Sequence, residues 1–196
     1  LATIEGEVAF DVETTGRNAL ADSLVGISVC NTGELSYYIP LAHAPTLRDA
    51  GSQIGKQPAL HAIGAVMHDK KIAKIGHNLK FDMMVLEQEH IRIEGMLYDT
   101  MLAAYLLNPN KANHSLDEVS FEYLSKHKRP FAEILRKRTT FAEVPLDEAT
   151  AYAAEDAALA FELKDMLFEK LKEQGLETVY FDIEMPLISV LAAMET

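Results

Sequence analysis

A single cysteine, Cys30, leaves this 196-residue chain without an intramolecular disulfide and fits a reducing compartment. It follows the apolar run 25–29, where a buried structural thiol is expected rather than a reactive one. Long apolar runs are missing too. The stretches 101–107 and 187–194 fall well short of the roughly 18 residues that a membrane-spanning helix needs. The opening LATIEGEVAF has neither a basic flank nor an apolar core of signal-peptide length. Positive charge is scarce: 18 Lys and Arg stand against 30 Asp and Glu, a net charge of −12. Tight autonomous nucleic-acid binding draws on phosphate contacts by Lys and Arg, so this balance argues against it. It leaves room for an enzyme acting on nucleic acid, because carboxylates loaded with divalent cations attract phosphate. His43, His61, His68, His90, His114 and His127 lack metal-ligand spacing, which disfavours a zinc centre. No repeat or low-complexity segment is present. A soluble, cytoplasmic globular chain is expected, and 48% hydrophobic residues suffice for a core. The chain begins without methionine and ends on Ala-Met-Glu-Thr, as expected of a piece cut from a longer polypeptide.

Hydrophobic patterning predicts strands at Glu7–Asp11, Val25–Asn31 and Leu35–Ile39, the last two joined as a hairpin through Thr32-Gly33. Residues 40–58, rich in Gly, Pro and Ser, read as a loop. A helix at Ala59–His68, a strand at Ile72–Gly76 and a helix capped by Asn78 and running to about His90 come next. A brief strand at Met96–Asp99 precedes the apolar helix Thr100–Leu107. Beyond it the chain reads as helical. Ser115 and Glu118 have capping-box spacing, and Pro130 opens a helix over Phe131–Lys137. A long amphipathic helix covers Leu146–Gln174, with Gly175 as its stop. A last helix starts near Leu176 and is broken or kinked at Pro186. This pattern gives an α/β or α+β domain with a mixed sheet flanked by helices and a helical C-terminal half.

Three segments carry candidate chemistry. Asp11 and Glu13, two apart at the end of an apolar strand, point to one face. Two adjacent carboxylates repel, and burying them is costly unless a cation compensates. Alone, the pair fits a solvated strand end equally well. Asp82 lies one turn into the helix after Asn78, where the helix dipole by itself favours an acid. Tyr152 and Asp156 share a face of the long helix among Ala149, Ala153 and Ala160, while Glu155 points away. A tyrosine–aspartate pair of this kind is also ordinary for a core tyrosine beside a surface acid. The basic clusters 126–129 and 136–138 read either as solvated faces or as guides for a phosphate backbone.

Taken together, FDVETTG (10–16), GHNLKFD (76–82) and YAAED (152–156) resemble, in order and separation, the three motifs of the DEDDy exonucleases. YIPLAH (38–43), YDTMLAAYLLNP (98–109) and IEMPLISVLAAME (183–195) extend the resemblance, over nearly the whole chain, to the proofreading domains of bacterial DNA polymerase I. The resemblance implies a ribonuclease H-like fold, with an exonuclease domain at 1–175 and a helix at 176–196 leading into a covalently linked polymerase domain. It implies a monomer working at the bacterial nucleoid that hydrolyses single-stranded DNA 3′ ends to nucleoside 5′-monophosphates. Two divalent cations, Mg²⁺ or Mn²⁺, would be held by Asp11, Glu13, Asp82 and Asp156. In that scheme Asp11 bridges the two, Glu13 and Asp156 complete the first site, and Asp82 serves the second through water. Tyr152 would orient the attacking water with Glu13. Substrate contacts are implied at Thr14, Asn78 and Phe141, the last with the alternative role of a loop-anchoring core residue. Val12 replaces the usual Thr, His77 a Gln and Phe81 a Tyr. Ala151 stands where the DEDDh sister group has its histidine. The rival readings are an inactive strand-binding domain and an RNA-trimming enzyme resembling ribonuclease D.

Overall fold

A computed structural model describes residues 4–33, 35–44 and 53–196. One five-stranded sheet runs through it, built from β1 (Glu7–Thr14), β2 (Leu24–Cys30), β3 (Ser36–Pro40), β4 (Ala73–Gly76) and β5 (Leu97–Asp99) in the order β3-β2-β1-β4-β5. The β1–β2 and β2–β3 pairs are antiparallel, whereas β4 and β5 add in parallel on the other side of β1. Parallel neighbours need helical crossovers. These are α1 (Lys56–His68) before β4 and α2 (Leu79–Gln88) between β4 and β5. All seven residues of β2 are buried, as in a strand covered on both faces. The hairpin turn keeps Gly33 at φ +73°, a left-handed conformation suited to glycine. Of the expected loop at 40–58, residues 45–52 lie outside the described residues, and its last three residues already belong to α1.

β1 continues past Asp11 to Thr14, so both motif carboxylates lie on regular strand. Val8, Phe10 and Val12 join the main core, while Ala9 on the opposite face packs against Ala157 and Ala160. Asp11 and Glu13 share the face of Ala9 because side chains alternate along a strand. The helix met on that face is α6 (Leu146–Glu173). It buries Tyr152, Ala153, Asp156, Ala160, Leu163, Leu167 and Leu171 at helical spacing and crosses β1, β2, β3 and β4. The rest of the helical half comprises α3 (Thr100–Leu107), α4 (Leu116–Leu124), α5 (Phe131–Leu135), a 3₁₀ turn at Phe141–Glu143, α7 (Glu177–Val179) and α8 (Met185–Glu195).

Several local expectations are corrected. Ser115 holds the N-cap position of α4, but its side chain makes no cap bond. It accepts from Asn113 Nδ2, and Glu118 pairs with Lys111 instead of closing a capping box. α5 stops at Leu135 because Arg136 turns to φ +52°. The irregularity expected at Pro186 falls just before it, as a π-helical turn over Tyr180–Glu184, and Pro186 lies in the first turn of α8. Tyr180, Met185, Ile188 and Ala192 belong to the same core as the sheet.

Candidate active site

Asp11, Glu13 and Asp156 converge. Each offers a carboxylate oxygen, and the three oxygens lie within 4.8 Å of one another. The β1–β2 register shifts between Glu13 and Thr14, which resumes pairing opposite Leu24, so the ladder is irregular at this point. Opposite Glu13 stands Gly26, and a Cβ there would come within 2.1 Å of the Tyr38 hydroxyl. The bare glycine thus lets Tyr38 cross beside the acids, where its Oη sits 2.7 Å from His43 Nε2. His43 Nδ1 lies 3.2 Å from the Val144 carbonyl, tying the strand side of the site to the segment that enters α6.

Asp82 reaches the site from the first turn of α2. Asn78 precedes that helix in a left-handed conformation, φ +74°, and its side chain does not cap it. The cap comes from Asp99, at the end of β5. Its carboxylate accepts from Asn78 N (3.2 Å) and Leu79 N (2.7 Å), and also from Met101 N (2.8 Å) and Leu102 N (3.2 Å) at the start of α3. One buried acid therefore satisfies the amino ends of two helices. Tyr180 holds the backbone of Asp99: its hydroxyl accepts from Asp99 N (2.7 Å) and donates to Asp99 O (3.0 Å).

These groups open onto a cavity of about 380 Å³, lined by Asp11, Glu13, Asp82, Tyr152 and Asp156 together with Thr14, His77, Asn78, Ser115 and Phe131. All four expected carboxylates and Tyr152 meet there, as do Thr14 and Asn78. Thr14 is buried, its Oγ1 donating to Gly16 O at 2.6 Å. Phe141 does not line the cavity. It is 1% exposed, packed against Tyr38, His43, Phe131 and Tyr152, so the structure gives it the anchoring place and not one that meets a base. Among the described residues, a second, apolar cavity of about 450 Å³ between α1 and β3 is lined by no carboxylate, histidine or lysine.

Electrostatically the cluster is in debt. Burial pushes the Asp11 carboxyl up to about 6, against the opposing pull of Lys128. Burial, reinforced by Asp11 and Asp156, raises Glu13 well above the usual carboxylate range. Asp82 and Asp156 are raised well above it as well, first by burial and then by Asp11, with Lys128 working against the rise at Asp156. Burial and the charges of Asp156, Glu13 and Asp11 push the Tyr152 hydroxyl upward, so it keeps its proton at neutral pH. Among the described residues, Glu13 Oε1 and Asp82 Oδ2 are buried without a hydrogen-bond partner, and Asp156 Oδ1 meets only the Lys128 ammonium. Buried hard oxygen donors, three of them converging within 4.8 Å, are what a divalent cation takes as ligands, so the residues fit a metal.

Sequence reasoning missed two contributors, Lys128 and Phe131, and marked a third, His77, only as a departure from the family's motif. Lys128, read as part of a basic cluster, turns inward: its Nζ pairs with Asp156 Oδ1 at 2.7 Å and lies 3.6 Å from the Tyr152 ring centroid. Phe131 supplies the aromatic wall. His77 spans from Thr100 Oγ1 (2.9 Å) to the His114 carbonyl (2.8 Å), pinning the loop that carries Ser115. Burial lowers its imidazole to about 4, so it is neutral. Lys128 lies in an irregular segment with no period to read, and only its spacing just ahead of Phe131 could have drawn attention to it.

Residues 1–172 match a family model described as 3′-5′ exonuclease. The chain is 34% identical over 194 residues to DNA polymerase I of Pseudomonas aeruginosa, covering 96% of this chain and 21% of that protein. It is 34% identical over 212 residues to DNA polymerase I of Rhizobium leguminosarum, covering 99% and 21%. The chain thus spans about a fifth of the length of these curated relatives. Among solved structures, Brucella melitensis NrnC with bound Mg²⁺ superposes with a TM-score of 0.70 at 21% identity, over 97% of this chain and 84% of that one. At that identity the likeness concerns the fold, which is ribonuclease H-like.

Proposed function

Because the chain belongs to the 3′-5′ exonuclease family that matches nearly its whole length, we propose that it removes nucleotides one at a time from DNA 3′ ends and proofreads for a polymerase domain of the same longer chain. It works as a monomer in the bacterial cytoplasm, at the nucleoid, and residues 176–196 lead into that polymerase domain. The observation that carries the reading is the convergence of three carboxylates within 4.8 Å, with partnerless buried oxygens, beside Asp82 and Tyr152 in one cavity.

Asp11, Glu13 and Asp156 would hold one divalent cation, and Asp82 with Asp11 would help to hold a second, Mg²⁺ or Mn²⁺. Bound there, the pair supplies Lewis-acid stabilisation to the entering and leaving oxygens of an in-line displacement. The chain's own groups position and exchange protons. Tyr152 stays protonated, so it orients the attacking water by hydrogen bonding, and Glu13 accepts the water's proton. Attack at phosphorus breaks the bond to the 3′ oxygen. That oxygen takes up a proton, leaving a nucleoside 5′-monophosphate and a strand one residue shorter. Phe131 offers the terminal base a sequence-tolerant stacking surface, and Asn78 and Thr14 shape the approach of the phosphate. All five side chains are in place in one cavity, which favours an active enzyme over an inert strand-binding domain. The 34% identity to DNA polymerases favours DNA over the RNA-trimming reading.

The test is a labelled single strand offered as DNA and as RNA, with Mg²⁺, with Mn²⁺ and with excess EDTA. Mononucleotides should leave the DNA 3′ end only when metal is present. A matched duplex end should be cut more slowly, since unpairing costs a few kcal/mol. Degradation that persists in EDTA, or that proceeds only from the 5′ end, sinks the reading.

A further inference from the structure

Four buried or half-buried acids share the cavity, and one ammonium stands among them. Lys128 lies between α4 and α5, and its side chain is 2% exposed. Its neighbours in sequence face outward: Lys126 pairs with Glu162 at 2.6 Å near the surface, and Arg129 is exposed. Only Lys128 of this basic run is turned in. Its Nζ is 2.7 Å from Asp156 Oδ1 and 3.7 Å from Asp117 Oδ1, and it covers one face of the Tyr152 ring at 3.6 Å. An ammonium is costly to bury unless it is paired, and so is Asp156 among other acids. Each makes the burial of the other tolerable.

Asp156, whose Oδ1 Lys128 holds, is also one of the three residues whose oxygens converge. A divalent cation and the ammonium would therefore compete for one carboxylate. We propose that Lys128 is a tethered counter-ion for the cluster, holding Asp156 in place in the metal-free chain and yielding to a divalent cation as it binds. This rests on the reading of the cluster as a metal site. The lysine keeps the acids from splaying apart when metal leaves, at the cost of weaker metal affinity than the bare carboxylates would have. Its withdrawal also uncovers the Tyr152 face, linking metal binding to access around the hydroxyl that orients water.

The experiment needs no turnover. Mn²⁺ binding by the wild-type chain, Lys128→Met and Lys128→Arg is measured by calorimetry, and each is melted in EDTA and in saturating Mn²⁺. K128M should bind Mn²⁺ about ten-fold more tightly, the order expected for removing one competing ion-pair partner. It should also melt earlier than wild type in EDTA, with the gap closing in Mn²⁺, while K128R stays near wild type in both. Lys128→Gln, which keeps a donor for Asp156 without the charge, carries the test if K128M does not fold. Unchanged or weaker Mn²⁺ affinity in the neutral variants, beside a clear wild-type isotherm, overturns the counter-ion role alone. No Mn²⁺ binding by any of the proteins, wild type included, overturns the metal site itself.

Discussion

Asp11 and Glu13 owe their position to the simplest rule of strand geometry, that alternate residues share a face, and this was legible from the segment 10–14 alone. Their consequence for stability is less obvious. Asp11 rises from 3.8 to about 6, so the folded chain binds more protons than the unfolded one between those values. The metal-free protein therefore loses stability from this group as pH rises through that window. Glu13, Asp82 and Asp156, also raised, extend the loss upward. A divalent cation at the proposed site would bind the ionised cluster and offset that loss. The melting-temperature gap between Mg²⁺ and EDTA should thus be larger at pH 8 than at pH 5, and equal gaps would show that these carboxylates do not hold the ion. Substitutions should rank in the same logic. Asp11→Ala removes the acid common to both proposed cation sites and should lower kcat on the order of 10³-fold, about 4 kcal/mol. Tyr152→Phe keeps the ring against Phe131, Phe141 and Lys128 and loses only the hydroxyl, for a fall of roughly 10²-fold. Near-wild-type rates in both would refute the assigned roles.

Elements were read best where burial imposes a period over many residues. The helix α6 was legible nearly to its ends because its buried positions recur through 28 residues. Its length of roughly 40 Å lets one element carry both the site and the cover of the sheet. The amino end of α2 was misread for a physical reason: Asn78 is a good local cap, but the donors are taken by Asp99, 21 residues on, through a parallel sheet pairing that no local pattern reports. Lys128 and Phe131 were obscure for the same reason, since α4–α5 is short and irregular and its meaning lies in what it packs against. Asp99 is the place to test this level. Asp99→Ala removes caps from α2 and α3 together and leaves buried N–H groups unpaired, which should cost about 2–4 kcal/mol at about 1–2 kcal/mol for each cap. It should also weaken divalent-ion binding, because α2 carries Asp82. Asp99→Asn keeps one acceptor and should lose less. A urea titration showing under about 0.5 kcal/mol of destabilisation for Asp99→Ala would show that the two caps are not jointly needed.

At the scale of the whole molecule, charge limits what the chain does by itself. The net charge is −12; Arg17 lines the cavity, but most of the basic clusters 126–129 and 136–138 are engaged. Lys126 pairs with Glu162, Lys128 with Asp156, and Arg136 and Arg138 both lie within 4.0 Å of Glu148. Since affinity for a strand comes mainly from cations free to replace its counter-ions, a 196-residue chain with these pairings should hold DNA weakly. The curated relatives are about five times longer, the chain covering 21% of each, and on the proposed reading further strand contacts would come from a linked polymerase region. Joined to such a region, the site gains strand supply through effective concentration without any change in its own geometry. The expectation is a high KM for one oligonucleotide with the 196-residue chain, a much lower KM when it is fused to the polymerase region of a relative, and kcat at saturating strand nearly the same in both. Steady-state cleavage of the same oligonucleotide by the two proteins measures this. Adding salt should raise KM less for the short chain than for the fused one, because fewer phosphate contacts release fewer counter-ions. Nanomolar binding by the short chain alone would mean that a strand-binding surface exists on it despite the paired cations, and a kcat that rises sharply on fusion would mean that the downstream region reshapes the site as well as feeding it.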